Sequence, residues 1–397
     1  MKVLIAIPYL AAVYGGPSKV AQDLAQSLGQ KGISVDLVTT NANGADKLTV
    51  PLNQWIEKKD YRVKYFDCFH RYDFIMSVAL CQWLARYAAD YAVVHTHNMF
   101  APTMAIARWI CQQQKVPYLT TPHGMLEPWA LSYKASKKRL YYRYFESPML
   151  RTSSAIHVLN RQEASHVNTL GFSQTEIIHN GIYRSEFQTL PKPEVFYHQF
   201  PETQGKQIVL FLGRIDPKKG LDLLAPAFAK ARHQFPNAHL VLAGPDSIGF
   251  LPTARSFFEQ VGCSNAVTFT GMLTGDLKYS ALAAASVYVA PSYSEGFSIS
   301  ILEGMAAGLP CIITHQCNFP EAATMEAAHI VDSDAEAIYS ALSQVLGNLS
   351  EGRAMGQRAR NLVLQHYTWG CAAEKLIGLY KAIGNVPTQF VNLNNAA

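Results

Sequence analysis

Short apolar runs alternate with helix-patterned stretches along almost the whole chain, and the alternation breaks only once. Val3–Ile7, Val35–Thr39, Ala92–His95, Tyr118–Thr121 and Ala155–Leu159 read as buried strands. Pro17–Gln30, Ile75–Ala88 and Thr103–Gln113 carry helical periodicity. Pro17 sits at a tolerated first-turn position, and Gly32 falls just past the end of that helix. The break is Pro191–Lys206, which holds Pro191, Pro193, Pro201 and Gly205 and no clear period, as a linker does. The pattern then restarts. Ile208–Leu212, His239–Ala243, Val267–Thr270, Val287–Ala290 and Cys311–Thr314 read as strands. Leu221–His233, Arg255–Gln260, Leu277–Ala284 and Ile299–Ala307 read as helices, and the chain is mostly helical after Asp332. Such alternation specifies an α/β fold with parallel, doubly wound sheets. The expected division is 1–190 and 191–368, two Rossmann-like halves facing across a cleft. Ligands of such sheets bind beyond the carboxyl ends of the strands.

Charge narrows the partners. Lys and Arg number 34 against 29 Asp and Glu, so 34 − 29 gives a net charge of +5. That suits an anionic ligand or an anionic membrane surface and is too weak to argue nucleic-acid binding, which usually needs a concentrated basic face. The 7 Cys are scattered and form no CxxC pair, as expected of reduced thiols in a cytoplasmic protein. The apolar start is interrupted by Pro8 and reads as a first strand, not a signal peptide. No apolar run reaches the ~18 residues of a membrane span.

Several strand ends carry candidate chemistry. Gly15-Gly16 lies between the first strand and a helix, where glycine permits close backbone approach and the helix start favours anions; a plain tight turn explains the pair equally well. The full GxGxxG fingerprint is missing. Arg214 and Lys219 flank a loop after Ile208–Leu212. A planar fork and a point charge suit a diphosphate, although two such cations alone also fit a solvated turn. Glu295 follows a strand, and Glu303 stands 303 − 295 = 8 positions on, inside a helix that Ser298 or Ser300 caps. A carboxylate accepts two hydroxyl hydrogen bonds, as a ribose diol requires; one capping and one exposed carboxylate is the plainer alternative. His123, in Thr121-Pro-His-Gly124, is suited to hydrogen bonds with sugar hydroxyls, yet a lone histidine before glycine is more often structural. Asn180-Gly181 is first of all a turn signal. Asp332-Ser-Asp334 looks like a metal-binding DxD, but Ser333-Asp-Ala-Glu336 reads better as a capping box.

Taken in order and spacing, these segments resemble glycosyltransferase family four, of the GT-B fold, over nearly the whole chain. The matching elements are Gly15-Gly16, His123-Gly124, Asn180-Gly181, Gly213-Arg214 with Lys218-Lys219-Gly220, Pro291-Ser292, Glu295-Gly296-Phe297 and Glu303-Gly-Met-Ala-Ala-Gly-Leu-Pro310. The resemblance implies a retaining hexosyltransferase that needs no metal or other cofactor. The nucleotide sugar would be held mainly by the second half. Arg214 and Lys219 would meet the diphosphate, Glu303 the ribose and Glu295 the sugar hydroxyls. The backbone around Gly296, Phe297, Ser298 and Ile299 would touch sugar or phosphate, and Gly271, Met272 and Leu273 would lie near the base. His123, Gly15 and Gly16 would complete the site, and a last helix over 369–385 would cross back to the first half. The catalytic set is therefore His123, Arg214, Lys219 and Glu295. Ser298 stands where the family often has Gly, and Tyr183 where Asp is frequent. Leu159-Asn160 occupies a place where Ser is common.

UDP-sugars are the commoner donors in the family, and UDP-glucose is the expected donor, with GDP-mannose as the rival. The His123–Asn160 stretch resembles exopolysaccharide assembly enzymes, cyanobacterial envelope-polysaccharide ones included, which implies a glycan or lipid-linked saccharide acceptor. Tyr133–Arg151 is rich in Lys, Arg and aromatic residues. It fits either an inner-membrane surface or a solvated helix with its aromatics in the core. Two other classes stay open: a nucleotide-sugar epimerase or hydrolase, and a non-catalytic sugar-nucleotide-binding protein.

Overall fold

The computed structural model describes residues 1–71, 74–132 and 135–384. Two positions of the basic aromatic segment, Tyr133 and Lys134, lie outside these, as does the chain beyond 384. The chain forms two compact units, Met1–His179 joined by the C-terminal segment from Trp369, and Asn180–Thr368.

The first unit is built on an eight-stranded sheet in the order Thr175–Ile177, Ala155–Val158, Tyr118–Thr121, Val93–His97, Lys2–Ala6, Ser34–Thr40, Arg62–Phe66, Trp55–Glu57. All neighbours are parallel except the last pair, which is antiparallel. Val3, Leu4, Ile5 and Ala6 are wholly buried, because a parallel sheet has helices on both faces and so reads as a continuous apolar run. The second unit repeats the plan with six strands: Val267–Gly271, Ala238–Ala243, Gln207–Leu212, Ala285–Ala290, Cys311–Thr314, His329–Val331. Its core joins Phe211, Leu224, Phe228, Leu240 and Phe258, each contributing roughly 1.5–3 kcal/mol by leaving water. In both sheets the chain starts at a central strand, runs to one edge, then returns to fill the other side. The strand order therefore reverses beside Lys2–Ala6 in one unit and beside Gln207–Leu212 in the other. Those switch points open a crevice at the carboxyl ends of the strands. The last helix, Trp369–Gly384, belongs to the first unit and packs on the helix Gly16–Gln30.

Four sequence expectations change. The unit boundary follows His179, not the proline-rich stretch. Pro191–Lys206 is no free linker. It holds the helix Glu194–Gln199, whose Phe196 is fully buried and donates its backbone N–H to Ser280 Oγ at 2.9 Å. The helix expected from Ile75 begins only at Val78, capped by Ser77, because Phe74–Met76 pairs as a strand with Phe69–Arg71. Asp334, not Ser333, caps the helix Ala335–Gly347: its carboxylate accepts from Glu336 N and Ala337 N at 2.9 and 3.0 Å. Ser333 Oγ instead donates to Gln316 at 2.6 Å. The 7 Cys are free thiols, six of them buried and Cys371 half-buried.

Candidate active site

Two loops of the second unit leave adjacent strands at its switch point. Gly213–Gly220 follows Gln207–Leu212, and Pro291–Ser298 follows Ala285–Ala290. Asp216 shapes the first loop by accepting from Lys218 N at 3.0 Å. Gly220 then turns with φ 66°, and a Cβ there would lie 2.0 Å from Pro291 O. Glycine is required at this position both by its left-handed backbone and by the contact. Tyr293 N donates to Lys218 O at 2.7 Å, which ties the loops together.

The side chains then converge. The Lys219 ammonium pairs with Glu295 Oε1, and Ser292 Oγ donates to the same oxygen at 2.9 Å. The Glu295 backbone is fixed on both sides, donating to Gln316 O at 3.0 Å and accepting from Asn318 Nδ2 at 2.7 Å. Arg214 has a side chain 47% exposed, and its nearest carboxylate is Asp216 at 4.0 Å. Its guanidinium fork is thus open to an anion. Glu303 lies on the helix Ile299–Ala306 and pairs with Lys278 at 2.7 Å. Lys278 belongs to the helix Gly275–Ala284 and has no local sequence signal linking it to Glu303.

The expected cap of that helix is different in kind. Ser298 occupies the N-cap position, yet its hydroxyl meets Ser300 Oγ at 3.1 Å and no side chain caps the helix. Phe297 is a core residue. Its ring lies 5.3 Å from Phe319 and 5.6 Å from Tyr367, so only its backbone can serve a ligand. Its carbonyl accepts from buried Asn180 Nδ2 at 3.0 Å, which gives Asn180-Gly181 a role the sequence did not reveal. Gly271 turns with φ 70°, Met272 beyond it is exposed, and Leu273 is buried. Ile299 opens the helix and is half-buried.

In the first unit, Gly15 has φ 75° and Gly16 begins the helix Gly16–Gln30. A Cβ at either would meet no atom within 4 Å, so the need for glycine at Gly15 is conformational and leaves room at the helix start. His123 follows Tyr118–Thr121 in a left-handed conformation, φ 54°. Its Nε2 lies 2.9 Å from His97 Nδ1. The next residue is held by Glu163, whose two oxygens accept from Gly124 N and Leu159 N, both at 2.7 Å. Behind His123 runs a buried relay. Tyr380 of the last helix meets His95 Nδ1 at 2.7 Å, and His95 Nε2 meets Thr121 Oγ1 at 2.7 Å. Thr121 Oγ1 meets His157 Nδ1 at 2.9 Å, and His157 Nε2 meets Ile178 O at 2.8 Å. Burial, and then the neighbouring His157, holds the His123 pKa down at about 3, so the ring is neutral at pH 7. It is therefore suited to hydrogen bonding and not to acting as a cationic acid. Among the described residues no group of three or more His, Cys, Asp or Glu side chains converges as a metal set.

Comparison with known proteins finds family matches over both units. Residues 14–186 match the family described as Glycosyltransferase Family 4, and residues 196–362 match Glycosyl transferases group 1. An uncharacterized glycosyltransferase of Methanocaldococcus jannaschii is 26% identical, covering 96% of this chain and 98% of its own. The phosphatidyl-myo-inositol mannosyltransferase of Mycobacterium tuberculosis is 25% identical over 96% of this chain and 97% of its own. Among solved structures, sucrose-phosphate synthase of Thermosynechococcus elongatus superposes with a TM-score of 0.76 at 22% identity, covering 96% of this chain and 99% of its own. HepE of Anabaena, in complex with UDP-glucose, gives 0.75 at 16% identity, over 96% and 100%. The doubly wound units and the matches over both of them agree: the chain belongs to family four of the glycosyltransferases and has the GT-B fold.

Proposed function

We infer that this glycosyltransferase is retaining, works without a metal, and moves a hexose from a UDP-sugar, glucose first, to a glycan or lipid-linked saccharide. The observation that carries the reading is the pair of stitched loops presenting Arg214, Lys219 and Glu295, with Glu303 on the helix that follows. Arg214 and Lys219 take the diphosphate, Glu295 the sugar hydroxyls and Glu303 the ribose hydroxyls. The backbone of Gly296, Phe297, Ser298 and Ile299 faces sugar or phosphate, and Gly271, Met272 and Leu273 lie by the base. From the first unit, Gly15, Gly16 and His123 serve the reacting sugar. As the bond from the anomeric carbon to the phosphate oxygen breaks, the acceptor oxygen bonds to the same face and its proton passes to the departing oxygen. The protein's task is to stabilise the charge building on the leaving group, as preorganised cations do in a site that excludes water. Retention through a covalent intermediate would instead need a carboxylate nucleophile opposite the leaving group. Among the named residues, Glu295 and Glu303 are instead engaged by lysines.

The UDP-glucose reading is supported by the ligand in the HepE complex. The mannosyltransferase name of the Mycobacterium relative favours mannose as a second reading. No described helix is long and apolar enough to cross a membrane. A lipid-linked acceptor would be met at the cytoplasmic membrane face through the basic aromatic segment. A thermal-shift panel of UDP, GDP, ADP, UDP-glucose and GDP-mannose, with and without chelator, tests donor and metal together. A bound ligand raises stability by mass action, about 2.7 kcal/mol at a hundred times its Kd. Stabilisation by UDP and UDP-glucose, indifferent to chelator, is expected. A response to GDP-mannose alone would replace glucose by mannose, and a response abolished by chelator would overturn metal independence.

A further inference from the structure

The strand Arg62–Phe66 sets a lysine where an apolar residue belongs. Side chains alternate along a strand, so Arg62, Lys64 and Phe66 share one face. That face packs toward the helix Val78–Tyr87, where Phe66, Leu80 and Leu84 form part of the core, with Trp55 and Trp83 against it. Lys64 nevertheless stands there, half-buried, with its ammonium 4.6 Å from the Trp55 ring and 5.5 Å from the Trp83 ring. Burial, and then the Arg62 charge, lowers its pKa. Among the described residues no carboxylate lies within ion-pair distance of Lys64 or of Arg86, one turn along the same helix from Trp83. Asp36 is already committed: it pairs with Arg62 at 2.5 Å and Lys2 at 3.6 Å, and Tyr91 OH donates to it at 2.5 Å.

Lys64, Arg86, Trp55 and Trp83, with Lys2 and Arg62, line a cavity of about 550 Å³ that also takes in the amides of Asn53 and Gln82 and, at its rim, the exposed carboxylate of Asp90, which pairs with neither Lys64 nor Arg86. Lys2 and Arg62 begin their strands, so the cavity lies toward the amino ends of the sheet, whereas His123 follows the carboxyl end of its strand. It is therefore separate from the candidate active site of this unit. The two indoles meet edge to face, 5.8 Å apart at 80°, and form a corner. Aromatic walls suit the apolar CH faces of a pyranose, the amides suit its hydroxyls, and the two cations without carboxylate partners call for an anion. The volume falls in the ordinary range for a small-molecule site.

We propose that this cavity is a second saccharide site, which takes a sugar carrying a negative charge, either a sugar phosphate or a uronic acid.

The test is isothermal titration of the full chain at low salt with glucose 6-phosphate, glucuronate, glucose and inorganic phosphate. UDP is kept in excess so that the donor site is occupied. Both anionic sugars are expected to bind, and better than either glucose or phosphate alone. The arm that binds tighter names the anion. Lys64→Gln with Arg86→Gln should weaken binding about tenfold or more, a change of 1.4 kcal/mol, and leave sugar transfer intact. Arg86→Gln alone, on an exposed position, should weaken it in the same direction with no risk to the fold. Absence of binding at about 10 mM, where a specific site of even millimolar Kd would be filled, overturns the proposal. So does phosphate binding as tightly as the sugar phosphate, or binding that survives both substitutions.

Discussion

Arg214 and Lys219 leave the same loop in different states. Lys219 is half-buried beside Glu295, so removing it strands a carboxylate and disturbs both loops. Arg214 is half exposed and touches Asp216 only at 4.0 Å, so its loss costs the fold little. Arg214→Ala is therefore the cleaner test of leaving-group stabilisation. Turnover should fall about 10²–10³-fold, as when one preorganised oxyanion donor is deleted, with the melting midpoint unmoved. Near-normal turnover would remove Arg214 from the catalytic set. At this scale the sequence showed the residues but not their partners. Local pattern placed Glu295 at a strand end and Glu303 on a helix, and only the family resemblance singled them out for a ligand. Lys278 and Asn318 were not legible, because each reaches its carboxylate or carbonyl through the fold and has no signature of its own.

Elements were legible where burial wrote a pattern. Tyr118–Thr121 and Cys311–Thr314 have the bounds their apolar runs suggest. The edge strand Trp55–Glu57 and its neighbour Arg62–Phe66 went unread because their polar, alternating residues mimic a loop. Pro191–Lys206 misled for the opposite reason, since its prolines spoke for a linker while Phe196 found a distant partner in Ser280. The basic aromatic segment shows what a local pattern leaves open. At Tyr142–Glu146 the helix widens to a π turn, and Glu146 points inward to pair with fully buried Arg108 and to accept from Phe100 N at 2.6 Å. That anchor leaves Leu140, Tyr144 and Phe145 at 62%, 62% and 56% exposure, beside exposed Arg139 and Arg143. Apolar side chains flanked by arginines suit an anionic membrane surface. Co-sedimentation with vesicles should rise with anionic lipid content and fall severalfold in Tyr144→Ser with Phe145→Ser. Sedimentation indifferent to anionic lipid would assign the segment to the solvated alternative.

The molecule as a whole carries an unusual load of buried imidazole in one unit, and this fixes how its stability depends on pH. Burial holds His123 at about 3 and His157 at about 4, and puts His95 and His97 well below the ordinary value. Unfolded histidine takes up a proton near 6.5. Between that pH and about 4 the unfolded chain binds more protons than the folded one, so stability must fall as the pH falls. From pH 7 to 5 each fully buried histidine costs on the order of 1–2 kcal/mol. Three carboxyls work against them, Glu127, Glu146 and Glu163, each raised by burial. Burial, only partly offset by the N–H bonds of Leu159 and Gly124, raises Glu163 to about 7. It takes its proton in the folded state first and returns stability on the order of 2 kcal/mol across the same window. The lowered histidines, with His239 and His329 adding to these four, outnumber the three raised carboxyls, which leaves a net loss. Urea midpoints at pH 7, 6 and 5 should therefore fall steadily. A flat or rising midpoint would mean that the Tyr380–His95–Thr121–His157 relay accepts a proton without unfolding, and that the last helix is not held by neutral histidines.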